Sequence, residues 1–178
     1  MRCASLLQAL SRFAVSAWVG AAALFVVTGV REVTSDEIPP VIRNTLTTLR
    51  FPAYYAFGFT LVAGTLVLLT LAVASVPADR RRQTGQTARS LFTSTLLLLA
   101  LVLMGFDYVM IYGPLEAMMT AREVAIPSSF HHLHQWSKWI NAASISLCLL
   151  AALRLCLPQP MFESASSSDP KADADAGG

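Results

Sequence analysis

Four long apolar runs are the feature that most constrains what this 178-residue chain can fold into. They cover residues 13–30, 51–76, 90–112 and 138–157, and the charges inside them are Asp107, Lys138 and Arg154. About 20 helical residues cross the hydrocarbon core of a bilayer, and each run is close to that length. A transmembrane barrel would instead show roughly ten-residue segments of alternating polarity. The pattern predicts an all-α fold, an integral membrane four-helix transmembrane bundle over residues 1–157.

Composition supports a chain that faces lipid. Only 13% of the residues are charged and 54% are hydrophobic, whereas soluble domains carry about 25% charged residues. The mean hydropathy is +0.55. The first run could be read as a signal peptide, but it is longer than the usual apolar region of about 7 to 15 residues. We therefore interpret it as the first membrane span.

The distribution of Lys and Arg predicts the orientation, because positively charged loops tend to stay in the cytoplasm. One side carries Arg2, Arg12, Arg80, Arg81, Arg82, Arg89, Arg154 and Lys171, and the other Arg31, Arg43, Arg50, Arg122 and Lys138. Both termini are therefore predicted to be cytoplasmic. Arg far outnumbers Lys, which is typical of a GC-rich bacterial genome and indicates a bacterial cytoplasmic membrane.

Three segments outside the spans have distinct patterns. Residues 41–50 place apolar side chains at helical spacing after two prolines, which predicts a helix along the membrane surface before Pro52 restarts the chain into the second span. The basic residues Arg80, Arg81 and Arg82 indicate binding to lipid headgroups, not to nucleic acid. Residues 158–178 are rich in Ser, Asp, Ala and Gly, which predicts a disordered cytoplasmic tail.

Small residues at helical spacing predict where helices approach one another in lipid. They are Ser16 with Gly20, Ala17 with Ala21, and the series Ala56, Thr60 and Gly64. These faces are expected to pack inside the bundle, or against a second copy or another membrane protein.

Asp107 is the most unusual residue within a span. An ionisable side chain at membrane depth is costly unless it is paired, hydrated or protonated, so it usually turns toward the bundle interior. The alternative is an interfacial Asp107 capped by Tyr108 or Tyr112. Gly113 and Pro114 follow and predict a break in the third helix.

A second polar cluster opens the fourth span. On a helix, His131, His134, Lys138 and Asn141 form one stripe with Ser137 beside it. This stripe could meet Asp107, since both lie toward the same membrane face, so Asp107, His134, Ser137 and Asn141 form a candidate polar site. Histidines are common metal ligands, and a metal or haem site using His131, His132 and His134 is an alternative. An interfacial anchor is another interpretation of the same residues.

The sequence contains no nucleotide-binding, hydrolase or metalloprotease motif, and no catalytic residue or cofactor is predicted. The three cysteines lie at positions 3, 148 and 156, without the paired spacing of a disulfide framework or a zinc site. We interpret them as ordinary small apolar residues.

The chain resembles the transmembrane protein 205-like family, also catalogued as domain of unknown function 4149. The matching segments are Phe-Pro-Ala-Tyr-Tyr at residues 51–55, the break at Tyr112, Gly113 and Pro114 followed by Met118 and Met119, and the series Phe130, His134, Ser137 and Asn141. Residues 36–40 and Trp136 depart from the family pattern. The resemblance implies four membrane helices and a shared polar position at His134, Ser137 and Asn141, without an established reaction.

Three functions fit these patterns. The first is a non-enzymatic membrane scaffold or a protein that handles a small solute or metal, in which His134→Ala should impair function without preventing insertion. The second is a membrane oxidoreductase or a metal-binding or haem-binding module. The third is a lipid-interacting accessory subunit that uses Arg80, Arg81 and Arg82.

Overall fold

The computed structural model describes residues 2–77, 86–120 and 128–157. Within these ranges the chain forms α1 (Arg2–Thr34), α2 (Pro40–Ala74), α3 (Gln86–Phe106), a π-helical turn (Asp107–Tyr112), α4 (Gly113–Thr120) and α5 (Ser128–Cys156). The described part of the chain contains no strand. The prediction of an all-α four-helix bundle is confirmed. The three arginines at positions 80–82 and the tail at 158–178 lie outside the described residues.

Four helical segments are long and apolar enough to cross a membrane, namely Cys3–Thr34, Val41–Ala74, Ala88–Met118 and Phe130–Cys156. The third of these joins α3, the π-helical turn and α4 into one span. Large apolar side chains stay exposed on all four, among them Leu24, Val67, Leu98 and Leu150. Exposed apolar surface on every helix suits contact with lipid, so this is a multi-pass membrane protein.

Each of the four spanning segments is longer than its apolar run. α1 has 33 residues and α2 has 35, which at 1.5 Å per residue is about 50 Å and exceeds the hydrocarbon thickness of about 30 Å. α5 begins ten residues before the run at 138–157. Polar residues at helix ends therefore continue the helices beyond the lipid instead of ending them.

The surface helix predicted for residues 41–50 is wrong as a separate element. α2 runs without interruption from Pro40 through Pro52 to Ala74. Neighbouring helices can support a proline within a membrane helix, and here α1 contacts α2 on both sides of Pro52, with Phe25 against Phe51 and Trp18 against Tyr54.

Arg50 holds the part of α2 that precedes Pro52 against α1. Its guanidinium donates to the Glu32 carboxylate and to Thr28 Oγ1 at 2.8 Å. The same group lies 4.9 Å from the centroid of the Phe25 ring. Near the connection, Arg43 donates to the backbone carbonyls of Ser35 and Ile38. These contacts stabilise an antiparallel pair of helices that extends past the apolar run.

The core of the bundle is apolar and tightly packed. All four spans contribute fully buried side chains, including Val15, Trp18, Val62, Leu97 and Cys148. A Cβ atom at Gly58 would lie 2.5 Å from both the Trp18 ring and the Met104 methyl group. Gly58 therefore leaves the space that the Trp18 ring and Met104 occupy against α2.

Of the small-residue faces predicted from the sequence, Ser16 with Gly20 and Ala56 with Thr60 do not pack inside the bundle, whereas Ala17 and Ala21 are half-buried. Ser16, Gly20, Ala56 and Thr60 are exposed on its surface, and nothing lies within 4 Å of a Cβ built at Gly20 or Gly64. α1 and α2 instead pack closely at Gly58, where the large Trp18 ring of α1 fills the space beside the glycine.

Candidate polar site at Asp107

Asp107 lies at the first position of the π-helical turn and is completely buried. A π-helical turn inserts an extra residue into a helix and is frequent at functional sites. Here it ends at Gly113, whose amide bonds to the carbonyl of Tyr108, five residues back. Pro114 follows, and because proline lacks an amide hydrogen and crowds the preceding turn, the wider turn suits its position. The break predicted at Gly113 and Pro114 is thus a change of helix type and not an end.

Three hydroxyl or amide donors converge on one oxygen of Asp107. Oδ2 accepts hydrogen bonds from the Tyr55 hydroxyl on α2 and from Asn141 Nδ2 on α5. It also accepts one from Ser137 Oγ on α5, at 3.1 Å. Asp107 is therefore tied to two other spans, which confirms that it faces the bundle interior.

Asn141 and Tyr54 extend this network. Tyr54 donates its hydroxyl proton to Asn141 Oδ1 at 3.3 Å. Asn141 Nδ2 lies 3.2 Å from the Ser137 carbonyl and 3.4 Å from the Tyr55 hydroxyl. We call these five residues, Tyr54, Tyr55, Asp107, Ser137 and Asn141, the Asp107 network.

The second oxygen of Asp107 behaves differently from the first. Oδ1 is buried and accepts no hydrogen bond in the described part of the chain. Buried carboxylate oxygens are normally satisfied, because an unpaired acceptor in a low-dielectric interior is costly. Oδ1 is therefore available to a ligand that supplies positive charge or a proton.

Aromatic rings from α2 and the π-helical turn pack around the network. The Tyr55 ring lies 5.1 Å from Tyr108 and 5.6 Å from Tyr112, between ring centroids. Tyr112 in turn stacks on Phe51 at 5.4 Å. The tyrosine that bonds to Asp107 is therefore Tyr55, and Tyr108 and Tyr112 pack against the Tyr55 ring. The alternative of an interfacial Asp107 capped by Tyr108 or Tyr112 is wrong. Apolar ring surface around a polar cluster lowers the local dielectric and strengthens its hydrogen bonds.

Of the candidate residues from the sequence, the structure brings together Asp107, Ser137 and Asn141 and leaves His134 outside. The His134 side chain is exposed and stacks on Phe130, with ring centroids 6.1 Å apart. His131 and His132 are also exposed. His134 precedes Ser137 by three residues, about 4.5 Å along the helix axis, and so lies nearer the N-terminal end of α5.

The described residues contain no group of three or more His, Cys, Asp or Glu side chains placed to hold a metal ion. The geometry thus lends no support to the alternative of a metal or haem site at His131, His132 and His134. Trp136 and Trp139 on the same segment are 65% and 73% exposed, as in the aromatic belt at a membrane interface.

Sequence reasoning did not include Tyr54 and Tyr55 in the site, although both entered the family resemblance. A signal was available, because a tyrosine buried in an apolar helix usually finds a hydrogen-bond partner for its hydroxyl. Two adjacent tyrosines on α2 therefore indicated a polar partner on a neighbouring span.

No family model matches this sequence, and comparisons with curated proteins and with solved structures give no match. The resemblance to the transmembrane protein 205-like family therefore stays a prediction.

Proposed function

We propose that this multi-pass membrane protein is non-enzymatic and handles a small cation, a proton or an alkali metal ion, at the Asp107 network. The free Oδ1 of a fully buried carboxylate supports this proposal most directly. Intramembrane carboxylates that face the interior of a bundle commonly mark ion or proton pathways.

The chemistry of the surrounding groups favours a hard cation. Besides the carboxylate, the network contains the hydroxyl oxygens of Tyr54, Tyr55 and Ser137 and the amide oxygen of Asn141, while Asn141 donates to Asp107 through its amide nitrogen. Oxygen ligands suit protons and hard metal ions, whereas soft metals prefer sulfur and imidazole suits transition metals. We therefore place His134 outside the proposed site.

The proposed setting is the cytoplasmic membrane of a bacterium, with both termini in the cytoplasm. In that orientation Asp107 lies toward the outer face, because the third span starts inside and reaches Asp107 some 20 residues later. The exposed small residues on α1 and α2 could pack against a second copy of the chain or another membrane protein, and this stays a prediction. Lipid headgroups remain the predicted partner of the three arginines at 80–82.

The test uses purified protein in proteoliposomes that contain either a pH-sensitive or a sodium-sensitive dye. Imposed proton and sodium gradients form two separate arms, so a proton pathway is distinguished from an alkali ion pathway. We expect wild type to dissipate one gradient at least tenfold faster than Asp107→Asn. His134→Ala is the control, since it changes a polar side chain outside the network, and it should retain the wild-type rate.

The proposal is wrong if wild-type vesicles lose neither gradient faster than vesicles without protein. It is also wrong if Asp107→Asn, inserted in equal amount, conducts as wild type does. If His134→Ala lowers the rate of ion flux and Asp107→Asn does not, the result would support the site predicted from the sequence, which includes His134.

A further inference from the structure

Arg154 is a charged side chain on the apolar surface of α5. It is exposed, lies in the last turn of the helix, and stands between the exposed side chains of Leu150 and Leu157, about one turn before and after it. A charged group beside lipid is costly unless it reaches the headgroups or meets an opposite charge. The described part of the chain gives Arg154 no carboxylate, since the ion pair found there joins Arg50 to Glu32.

The Phe92 ring of α3 fixes the position of the Arg154 guanidinium. The Cζ atom of Arg154 lies over this ring, 4.4 Å from its centroid, which is within the range of a cation–π interaction. α3 and α5 pack against each other, so the contact bridges the groove between them. A guanidinium that rests on a ring keeps N–H groups at its edge that can still donate hydrogen bonds. Arg154 is therefore an ordered cation at the surface of the bundle.

Arg89 adds a second cation beside Phe92. It precedes Phe92 by three residues on α3, so the two side chains share a face of that helix, and both are exposed. Phe92 thus has one arginine a turn nearer to the start of its own helix and another, Arg154 of α5, over its face. The start of α3 and the end of α5 lie at the same end of the bundle, so both positive charges are presented there.

The acidic residues that the structure describes lie toward the other end of the bundle. They are Glu32, Asp36, Glu37, Asp107 and Glu116. Phe92 precedes Asp107 by 15 residues, which is about 22 Å along the helix axis. Within the described residues, the positive charge around Phe92 therefore has no acidic neighbour at its own end of the bundle, and this surface is complementary to an anion.

Apolar surface continues from these arginines toward the middle of the bundle. Leu99 follows Phe92 by seven residues on the same face of α3, Leu150 precedes Arg154 by four on α5, and both are about half exposed. A free phosphate ion would match the charges alone. A phospholipid matches the charges with its headgroup and covers the leucines with its acyl chains.

We propose that Arg154, held on Phe92, and Arg89 bind the phosphate group of an anionic phospholipid in the groove between α3 and α5. Arginine suits this ligand because its planar group donates two parallel hydrogen bonds to phosphate oxygens, and basic pockets between membrane helices bind anionic headgroups. The site is separate from the arginines at 80–82. It lies at the opposite end of the bundle from Asp107, so it goes beyond the proposed function and does not rest on it.

The test is native mass spectrometry of the full chain in detergent, titrated with phosphatidylglycerol in one arm and with zwitterionic phosphatidylcholine in the other. We expect wild type to bind phosphatidylglycerol more tightly than phosphatidylcholine. Arg154→Gln should weaken phosphatidylglycerol binding about fivefold, the contribution of one arginine near the headgroups, and leave phosphatidylcholine binding unchanged. Arg31→Gln is the matched control, because Arg31 is an exposed arginine at the other end of the bundle, and it should bind as wild type does.

Phe92→Leu distinguishes a built site from attraction by net charge, because it keeps every charge and removes the ring under Arg154. It should also weaken phosphatidylglycerol binding, and it serves as the second variant in case Arg154→Gln disturbs folding. The proposal is overturned if wild type does not prefer phosphatidylglycerol, or if Arg154→Gln binds it as tightly as Arg31→Gln does. Wild-type affinity in Phe92→Leu would also overturn it, since the lipid would then be attracted by charge without a site in the groove. Because no ion flux is measured, each result is independent of transport at Asp107.

Discussion

A carboxylate inside a membrane bundle is stable only when neighbouring side chains replace the water that it has lost. Moving an ion into a low-dielectric interior carries a penalty of several kcal/mol even after relaxation, and hydrogen bonds to the charged group offset it at about 1.5–3 kcal/mol each. Asp107 receives three such bonds on Oδ2. Two come from α5, and the Tyr55 hydroxyl is the donor from α2.

Tyr55→Phe tests how much the hydrogen bond from Tyr55 to Asp107 contributes to the stability of the fold. We expect the variant to lower the free energy of unfolding by about 1–3 kcal/mol, because a buried hydrogen bond to a charged group is lost. Unfolding by SDS in mixed micelles measures the difference. Combining Tyr55→Phe with Asp107→Asn in a double-mutant cycle should reveal a coupling of similar size.

Tyr108→Phe is the control for this cycle. The Tyr108 side chain is 40% exposed and its ring packs on Tyr55, while Tyr55 makes the hydrogen bond to Asp107. A coupling with Asp107→Asn below about 0.5 kcal/mol is expected for it, because phenylalanine keeps the ring that packs on Tyr55 and only a hydroxyl group that does not bond to Asp107 is removed. Equal coupling for Tyr55 and Tyr108 would contradict a specific role for the Tyr55 hydroxyl.

Gly58→Ala tests the packing of Trp18 and Met104 beside this glycine. A methyl group there would meet the Trp18 ring and the Met104 methyl at 2.5 Å. Met104 can move, but Trp18 is buried and fixed by its neighbours, so overpacking should destabilise the fold by about 1–3 kcal/mol. The matched control is Gly64→Ala on the same helix, where nothing lies within 4 Å. A Gly58→Ala variant as stable as Gly64→Ala, measured by the same SDS titration, would show that the core can relax.

At the level of the elements, the four spans could be predicted from the sequence, whereas the rotation of each helix against its neighbours could be predicted only in part. Length and the absence of charge are properties of a segment by itself, so four helices followed from the apolar runs. The meeting of Asp107 with Ser137 and Asn141 also followed, because the cost of a charge in lipid turns Asp107 inward and the spacing of four places Ser137 and Asn141 on one face.

Three features depended on tertiary contacts that a local pattern does not contain. Pro52 is a helix breaker in isolation, but α1 packs on the residues of α2 on either side of it, Phe51 and Tyr54. The rotation of α2, which points Tyr55 at Asp107, is not marked by its nearly uniform apolar sequence. His134 shares the periodicity of Ser137 and Asn141, yet it lies beyond the level at which α5 meets the π-helical turn.

The π-helical turn determines how α4 continues from α3. It carries one residue more than regular α-helix requires, so deletion of Met110, whose side chain is 59% exposed, should restore regular geometry. Because the helices on either side of such a turn keep their relative phase, the deletion would act within the turn and change the directions of its buried side chains Asp107 and Tyr112. We expect a loss of stability together with loss of ion flux.

Met110→Ala is the control for the deletion, because it removes the same side chain and keeps the number of residues. It should retain stability within about 0.5 kcal/mol, as exposed substitutions usually do. A deletion variant that is as stable and as active as Met110→Ala would show that the extra residue has no role in placing Asp107.

For the whole molecule, the orientation in the membrane can be measured with the cysteines that the chain already has. Cys3 lies at the start of α1 and Cys156 at the end of α5, and both are exposed. An even number of spans places these two residues on the same side, and the distribution of Lys and Arg predicts that this side is the cytoplasm. Cys148 is buried within the bundle and should stay unmodified in the folded protein.

A membrane-impermeant maleimide should therefore label Cys3 and Cys156 in inverted vesicles and leave both unlabelled in intact spheroplasts. Cys3→Ser and Cys156→Ser assign the two signals, and each single variant should lose half of the label. Labelling of both cysteines from outside would show the opposite orientation, with Asp107 toward the cytoplasmic side. Labelling of one from each side would contradict a bundle of four spans. With both inside, the Asp107 network lies at the opposite end of the bundle from both cysteines, so the outer face is the nearer side from which the proposed cation would reach Oδ1.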